Sequence, residues 1–180
     1  MSTGPQNLLY LIRQSSIHSR GVFAARDVRK GERIIEYVGE KITKAESARR
    51  AGSRMDEASR DGGGAVYIFT LNKRQDLDGN VDWNPARLIN HSCAPNCEAE
   101  IARGRIWIAA RRTIREGEEL SYDYGFDLDC WNDHPCLCQQ ENCVGFIVAR
   151  QHWPKLRRLM RKVLTEPAAR SAAAEQNGAA

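Results

Sequence analysis

The run "CLCQQENC" puts Cys136, Cys138 and Cys143 within eight residues, and it constrains this chain more than any other stretch. Three thiolates this close invite a metal, yet tetrahedral zinc needs four ligands. The fourth must come from elsewhere, so the fold has to bring a distant segment onto this loop. The chain has six cysteines, and none precedes residue 93. Such crowding, in a chain expected to stay in a reducing compartment, favours a metal over disulfides. Cys93 and Cys97 in "ARLINHSCAPNC" are the obvious candidates, and spacing alone does not separate them. The plainer alternative is a set of buried free thiols.

A chain of 180 residues is most simply one domain, long enough for a core without disulfides. No apolar run approaches the roughly 20 residues that cross a bilayer. The N-terminus "MSTGPQNLLYLIRQSS" lacks the basic and apolar regions of a signal peptide. An intracellular protein with no membrane contact, working as a monomer, is expected. The net charge of +4 permits an acidic partner without demanding one. Basic residues gather in "KLRRLMRKVL", where Leu156, Leu159, Met160, Val163 and Leu164 follow helical spacing. Lys155, Arg157, Arg158, Arg161 and Lys162 lie mostly between them. A basic amphipathic helix over 153–166 is expected, packed on its own domain with a solvated face or touching nucleic acid. An Ala-rich, disordered tail is expected over 167–180.

The rest of the chain reads as mainly β. "GVFAARDVRKGERIIEYVGEKI" gives two strands joined by a polar turn at Lys30-Gly31. Thr43-Lys44-Ala45-Glu46 is a capping box that opens a helix over about 43–64. "AVYIFTL" is β-rich, and "QDLDGNVDWNP" is turn-rich. "CEAEIARGRIWIAARRTI" alternates around Arg103-Gly104 as a hairpin, and "REGEELSYDYGF" is a turn followed by a short strand.

"SYDYGF" places Tyr122 and Tyr124 two apart, so on a strand both side chains point the same way. With Tyr67 and Phe126 they make an aromatic-walled slot that suits a lysine, an apolar stem with a nitrogen head. Ordinary core packing is the simpler account of such residues. In "SSIHSRGVFAA" a Gly before an apolar strand allows close backbone approach to a ligand.

Four segments together resemble the SET-domain protein lysine methyltransferases, in the family's order. They are "HSRGVFAARDVRKGERIIEYVGE", "NPARLINHSCAPNC", "GEELSYDYGF" and "CLCQQENC". The resemblance covers about residues 8–147 and looks closest to the trithorax-like branch, which carries a post-SET zinc loop. It implies a mainly β fold of several small sheets with a pseudoknot, short helices, a C-terminal zinc loop and a helix. The SET domain would occupy 8–126 and the post-SET loop 130–147.

By position the resemblance implies S-adenosylmethionine as cofactor. It would be held by the backbone of Arg20, Gly21, Val22 and Phe23, and by Asn90 and His91. His18, Tyr67, Arg87, Tyr124 and Leu137 would contribute further contacts. Tyr124 matches the catalytic tyrosine, assisted by Tyr122 and Tyr67. The substrate channel would be lined by Tyr67, Tyr122, Tyr124 and Phe126. Cys93 matches the ligand that joins Cys136, Cys138 and Cys143 around zinc, which leaves Cys97 and Cys130 out. Three departures stand out. Ser19-Arg20-Gly21 replaces a common Gly-x-Gly, Leu88 replaces a common Phe, and "LNKRQDLDGNVDW" departs from an Asp-containing strand.

The expected activity is transfer of one methyl group to lysine in a basic protein, since Tyr122 stands at the family's Phe/Tyr switch position. A histone tail or a bacterial nucleoid protein fits as substrate, and Asp127, Asp129 and Asp133 are expected either to attract it or to form a solvated acidic loop. A silent peptide-binding module and a zinc-containing DNA-binding protein using the basic helix are the alternatives. The expected location is nucleus or chromatin in a eukaryote, and cytoplasm, nucleoid or secretion in a bacterium.

Overall fold

A computed structural model describes residues 9–61, 67–129 and 131–163. Among these, ten short strands form four small sheets. Strand β1 (Tyr10–Gln14) pairs antiparallel with β2 (Arg20–Ala24). Strands β3 (Arg33–Tyr37), β9 (Arg105–Ala110) and β8 (Cys97–Ala102) form a second sheet with β9 central. A third sheet has β4 (Glu40–Thr43), β6 (Gln75–Asp78) and β5 (Ile68–Thr70), with β6 central. The fourth joins β7 (Asn90–His91) and β10 (Ser121–Tyr122) in parallel, the juxtaposition that the expected pseudoknot requires.

The β8–β9 hairpin forms as its sequence reads. Arg103 and Gly104 both have positive φ, 51° and 72°, the pair of left-handed residues that a tight two-residue turn needs. Along β9, Ile106 and Ile108 are fully buried, while Arg105 and Trp107 face outward. Each buried Ile contributes about 2–3 kcal/mol. They meet Val22, Val28, Tyr37, Ile89, Ile114 and Leu120 in the main core.

The two strands around Lys30-Gly31 are present but do not pair with each other. β2 goes to β1 and β3 goes to β9. β1 was not legible, because its residues are largely exposed and show no alternation. Ser19, in the loop between β1 and β2, has φ 40°. That is left-handed backbone, which favours glycine and explains why the family often has one there.

The turn-rich reading of "QDLDGNVDWNP" is corrected for its first four residues, which are the central strand β6. Asp disfavours strands, but here both aspartates are buried and paired from a helix. That helix, α1 (Lys44–Asp61), starts at Thr43, whose Oγ1 accepts the Glu46 N–H at 3.2 Å. Its Lys44 reaches Asp76 at 2.5 Å, Arg50 reaches Asp78 at 2.7 Å, and Arg54 grips Asp78 at 2.8 and 2.9 Å. Its expected last residues, 62–64, lie outside the described residues.

A second core lies under the C-terminal part. Leu128, Val144, Val148, Trp153 and Leu156 pack with Cys93 and Cys138. The C-terminal helix α2 (153–163) turns Trp153, Leu156, Leu159 and Met160 inward. Val163, expected on the apolar face, is instead exposed at 56%. Leu164, the helix end at 166 and the tail 167–180 lie outside the described residues. No helix among the described residues is long and apolar enough to cross a membrane.

Candidate functional site

The two-residue strand pair β7–β10 is the centre of the site. Its register sets Ser121 beside Asn90 and Tyr122 beside His91. Ile89, fully buried, and Leu88, partly buried against the main core, anchor the signature stretch "NPARLINHSCAPNC" on one side. On the other, buried Asn96 spans the gap. Its amide donates to the Glu119 carbonyl at 2.8 Å, and its Oδ1 accepts the Ser121 N–H at 2.9 Å. Asn96 thus satisfies two backbone groups of the incoming strand that have left regular pairing.

The aromatic residues form a continuous row. Ring centroids are 4.6 Å apart for Tyr37 and Phe69, 5.7 Å for Phe69 and Tyr122, and 4.9 Å for Tyr122 and Tyr124. Phe126 follows at 5.7 Å from Tyr124, and His134 at 4.8 Å from Phe126. The Tyr124 hydroxyl donates to the Ile89 carbonyl at 2.9 Å. Burial pushes the Tyr124 phenol well above its ordinary value, and the neighbouring phenol of Tyr67 adds to this. Burial does the same for Tyr122. Both therefore remain phenols at neutral pH. Because Tyr124 gives its proton to Ile89, its oxygen lone pairs are left to accept.

His91 is buried behind Tyr124. Its Nδ1 accepts the Tyr124 N–H at 3.2 Å, and its ring meets the Tyr124 ring edge-on at 5.4 Å. Burial lowers the His91 pKa, against a smaller upward pull from Asp123.

Next to it, the sulfurs of Cys93, Cys136, Cys138 and Cys143 all lie within 4.8 Å of one another. Cys93 Sγ stands 3.8 Å from both Cys136 Sγ and Cys143 Sγ. A regular tetrahedron with metal–sulfur bonds of about 2.3 Å has edges of about 3.8 Å, so the set fits zinc. The Cys93 N–H points at Cys138 Sγ (3.4 Å) and the Gly145 N–H at Cys143 Sγ (3.4 Å), as expected around thiolates. Without metal, burial holds the Cys93 thiol up at about 12, whereas Cys138, despite its burial, is drawn down to about 7 by backbone N–H donors and neighbouring thiols. Cys97 is fully buried in the main core, away from this cluster. Cys130 lies outside the described residues.

The segments expected to hold a cofactor meet on the same side. Asn90 donates from Nδ2 to Glu119 Oε1 at 2.7 Å, and to the Arg20 carbonyl and Ser15 Oγ, each at 3.2 Å. A Cβ on Gly21 would overlap the Glu119 carboxylate, so a larger residue there would have to displace that side chain from Ser15 and Asn90. A cavity of about 440 Å³ opens between Ser16-Ile17, Ser92, Glu119 and Cys138-Gln139. That volume lies within the range of small-molecule sites. Its walls are the neighbours of His18, His91 and Leu137 rather than those residues themselves. Val22 is fully buried in the core and offers only its backbone, and Leu137 is exposed at 57%. The guanidinium of Arg87 is taken by Asp82 (2.6 Å) and Asn80 (3.3 Å). Tyr67 accepts at its carbonyl from the Tyr37 hydroxyl (3.1 Å) and the Gly79 N–H (2.8 Å).

Sequence reasoning missed Asn96, Glu119, Ser15, Phe69, Tyr37 and His134. Glu119 carried a faint signal, as the second carboxylate of "GEEL" where a turn needs only one. Glu118 meets the turn's need by accepting the Arg115 N–H at 2.7 Å.

Comparison with known proteins agrees with this arrangement. The family model described as "SET domain" matches residues 19–125. Over 143 residues, 77% of this chain, the sequence is 41% identical to human histone-lysine N-methyltransferase 2D. It is 43% identical over 143 residues to histone-lysine N-methyltransferase trr of Drosophila melanogaster. It is 41% identical over 137 residues to a Schizosaccharomyces pombe protein named histone-lysine N-methyltransferase, H3 lysine-4 specific. The chain spans 2%, 6% and 14% of the lengths of these three relatives. With the family model covering the β framework and both halves of the β7–β10 pair, the chain belongs to the SET-domain family, on its trithorax-like branch.

Proposed function

We propose that this chain is a protein-lysine N-methyltransferase that transfers methyl from S-adenosylmethionine to the ε-amine of a lysine in a basic protein. The substrate class is a histone or histone-like protein, in keeping with the names of the relatives. One observation carries the reading: the Tyr124 hydroxyl, bonded to Ile89, stands within a row of aromatic rings formed by Phe69, Tyr122, Tyr124 and Phe126.

When bound, S-adenosylmethionine supplies a methyl group on a cationic sulfur, ready for in-line displacement. What remains for the chain is alignment, dryness and a neutral amine. The segments Arg20–Phe23, Asn90-His91, His18, Tyr67, Arg87, Tyr124 and Leu137 hold the cofactor, and Cys93, Cys136, Cys138 and Cys143 hold zinc in a post-SET loop. A lysine amine has an ordinary pKa of about 10.4 and arrives protonated. The apolar walls of Phe69, Tyr122 and Phe126, with Tyr67, disfavour the ammonium, so its proton leaves to water. Tyr124 is no base, because it keeps its own proton. Its oxygen accepts from the amine and points the nitrogen lone pair down the channel. The buried Tyr122 hydroxyl takes up room beside the amine, which limits the product mainly to monomethyl-lysine.

The test is methylation of a histone mixture by the purified protein, with products read by mass spectrometry. Tyr124→Phe should lose about 10- to 100-fold in rate, the equivalent of one or two hydrogen bonds, while calorimetry still registers cofactor binding. Near-normal turnover in that variant would remove Tyr124 from its role. A silent peptide-binding module is the weaker reading, because Asn90, His91 and Tyr124 are all present.

A second reading adds nucleic-acid contact. Arg150, Lys155, Arg157 and Arg158 are exposed along α2 and the turn before it, and Arg150 and Arg157 lie over the Trp153 ring at 5.2 and 5.9 Å. A basic face repels a free basic peptide but accepts one already packaged on nucleic acid. Such a face is in keeping with an activity on chromatin in a eukaryote, or on the nucleoid or a secreted route in a bacterium.

A further inference from the structure

We propose, on the cofactor reading above, that Glu119 is a further cofactor-binding residue whose carboxylate receives the α-ammonium of S-adenosylmethionine. The carboxylate stands where the expected cofactor segments meet. Its Oε1 accepts from Asn90 Nδ2 at 2.7 Å and from Ser15 Oγ at 2.8 Å, and the same hydroxyl lies 2.9 Å from Oε2. It also fills the space beside Gly21 that a Cβ would need. One side chain thus joins the start of the β1–β2 loop, strand β2 and Asn90, and it lines the cavity of about 440 Å³. Its main chain is held by a bridge to Phe23 and by the Asn96 amide on its carbonyl at 2.8 Å, so the carboxylate starts from a fixed base.

Charge decides what this arrangement lacks. Asn90 and Ser15 are neutral, and they are two donors against the about four acceptor sites of a carboxylate. Among the described residues no Lys, Arg or His forms an ion pair with Glu119. Arg112, the cation that shares the cavity wall, is committed to Glu118 at 2.7 Å. The Glu119 charge is felt at Tyr124, where it adds to the upward push on the phenol. A half-buried carboxylate with acceptor sites to spare and no counter-ion is completed by a cationic donor. S-adenosylmethionine has two cationic centres. Its sulfonium has no proton to donate in a hydrogen bond, whereas its α-ammonium has three N–H donors, so the ammonium is the group that fits.

Calorimetry with two ligands separates this contact from a carboxylate that only clamps Ser15 and Asn90. S-adenosylhomocysteine carries the α-ammonium, and its deamino analogue keeps the adenosine, sulfur and carboxylate but lacks that group. The zinc-loaded wild type should bind the first about 10- to 100-fold more tightly, the worth of one charge-assisted hydrogen bond. Glu119→Gln should bring the two affinities to within about 3-fold of each other. A ratio unchanged in Glu119→Gln leaves the residue a clamp and overturns the proposal. In the wild type alone, the Glu119 carboxylate carbon resonance should move with S-adenosylhomocysteine and hold its free position with the analogue. The same response to both ligands refutes the contact, even where Glu119→Gln fails to fold. A wild type that binds the two equally also refutes it, whereas one that binds neither removes the cofactor reading itself and this contact with it.

Discussion

Replacing Asp78 by Asn tests how the α1 insert is held to the sheet. Asp78 is 1% exposed and takes hydrogen bonds from Arg50, from both arms of Arg54 and from the Asn80 N–H. Burial alone would push its carboxyl up, yet the two arginines and the Asn80 amide more than offset this and hold it at about 2. Relative to the ordinary 3.8, that is worth about 2 kcal/mol at ~1.36 kcal/mol per tenfold. Since the folded carboxyl is the stronger acid, this stability is fully present above about pH 4 and is lost as pH falls through about 2. Asn mimics the protonated carboxyl, so wild type and Asp78→Asn should differ by about 2 kcal/mol at pH 6 and converge near pH 2. Urea unfolding of both proteins at each pH gives the difference, and loss of zinc in acid largely cancels because both proteins share it. A gap that stays constant from pH 6 to pH 2 would refute the assignment of this stability to the ionised Asp78.

The remaining predictions concern function. Tyr122→Phe removes the buried hydroxyl beside the amine and should shift the product from monomethyl- to di- and trimethyl-lysine, as read by mass spectrometry. Dominant trimethylation by the wild type would sink the size argument. Chelation of zinc should abolish methyl transfer before the β core melts, because the four sulfurs tie the C-terminal core to the signature stretch. Full activity in a sample proved metal-free would contradict that order. If α2 touches nucleic acid, binding should weaken steeply with salt. Replacing both Lys155 and Arg158 by Gln should then reduce the slope by about 2, with unchanged slopes arguing against the contact.

What could be read in the sequence was whatever rests on local pattern. Arg103-Gly104 announced a hairpin, Thr43 an N-cap, and the spacing in "CLCQQENC" a metal loop. Choosing Cys93 over Cys97 took the family resemblance, since both lie on one segment and only the path of the chain separates them. β6 was hidden because Asp76 and Asp78 read as turn residues until Lys44, Arg50 and Arg54 arrive from α1, some twenty to thirty residues earlier. The partners of β2 and β3 were hidden in a similar way. Each strand's apolar pattern defines a face to bury but names no partner: β2 pairs with the patternless β1 just before it, and β3 with β9, about seventy residues further on.

The residues that escaped notice around the site share a reason. Asn96, Glu119 and Ser15 are polar residues that no apolar periodicity marks, and each bonds to groups distant in sequence. Their job follows from how short β7 and β10 are. A parallel pair of two residues each supplies few ladder bonds, too few to fix the orientation of Tyr124 by itself. Other contacts must finish what the ladder leaves undone: the Asn96 side chain on the Glu119 and Ser121 backbone, the His91 ring on the Tyr124 N–H, and the Ile89 carbonyl on the Tyr124 hydroxyl. A site assembled from such cross-chain polar contacts is aligned only when every segment is in place. Distant elements, the zinc loop among them, can therefore govern the orientation of Tyr124 without touching its ring.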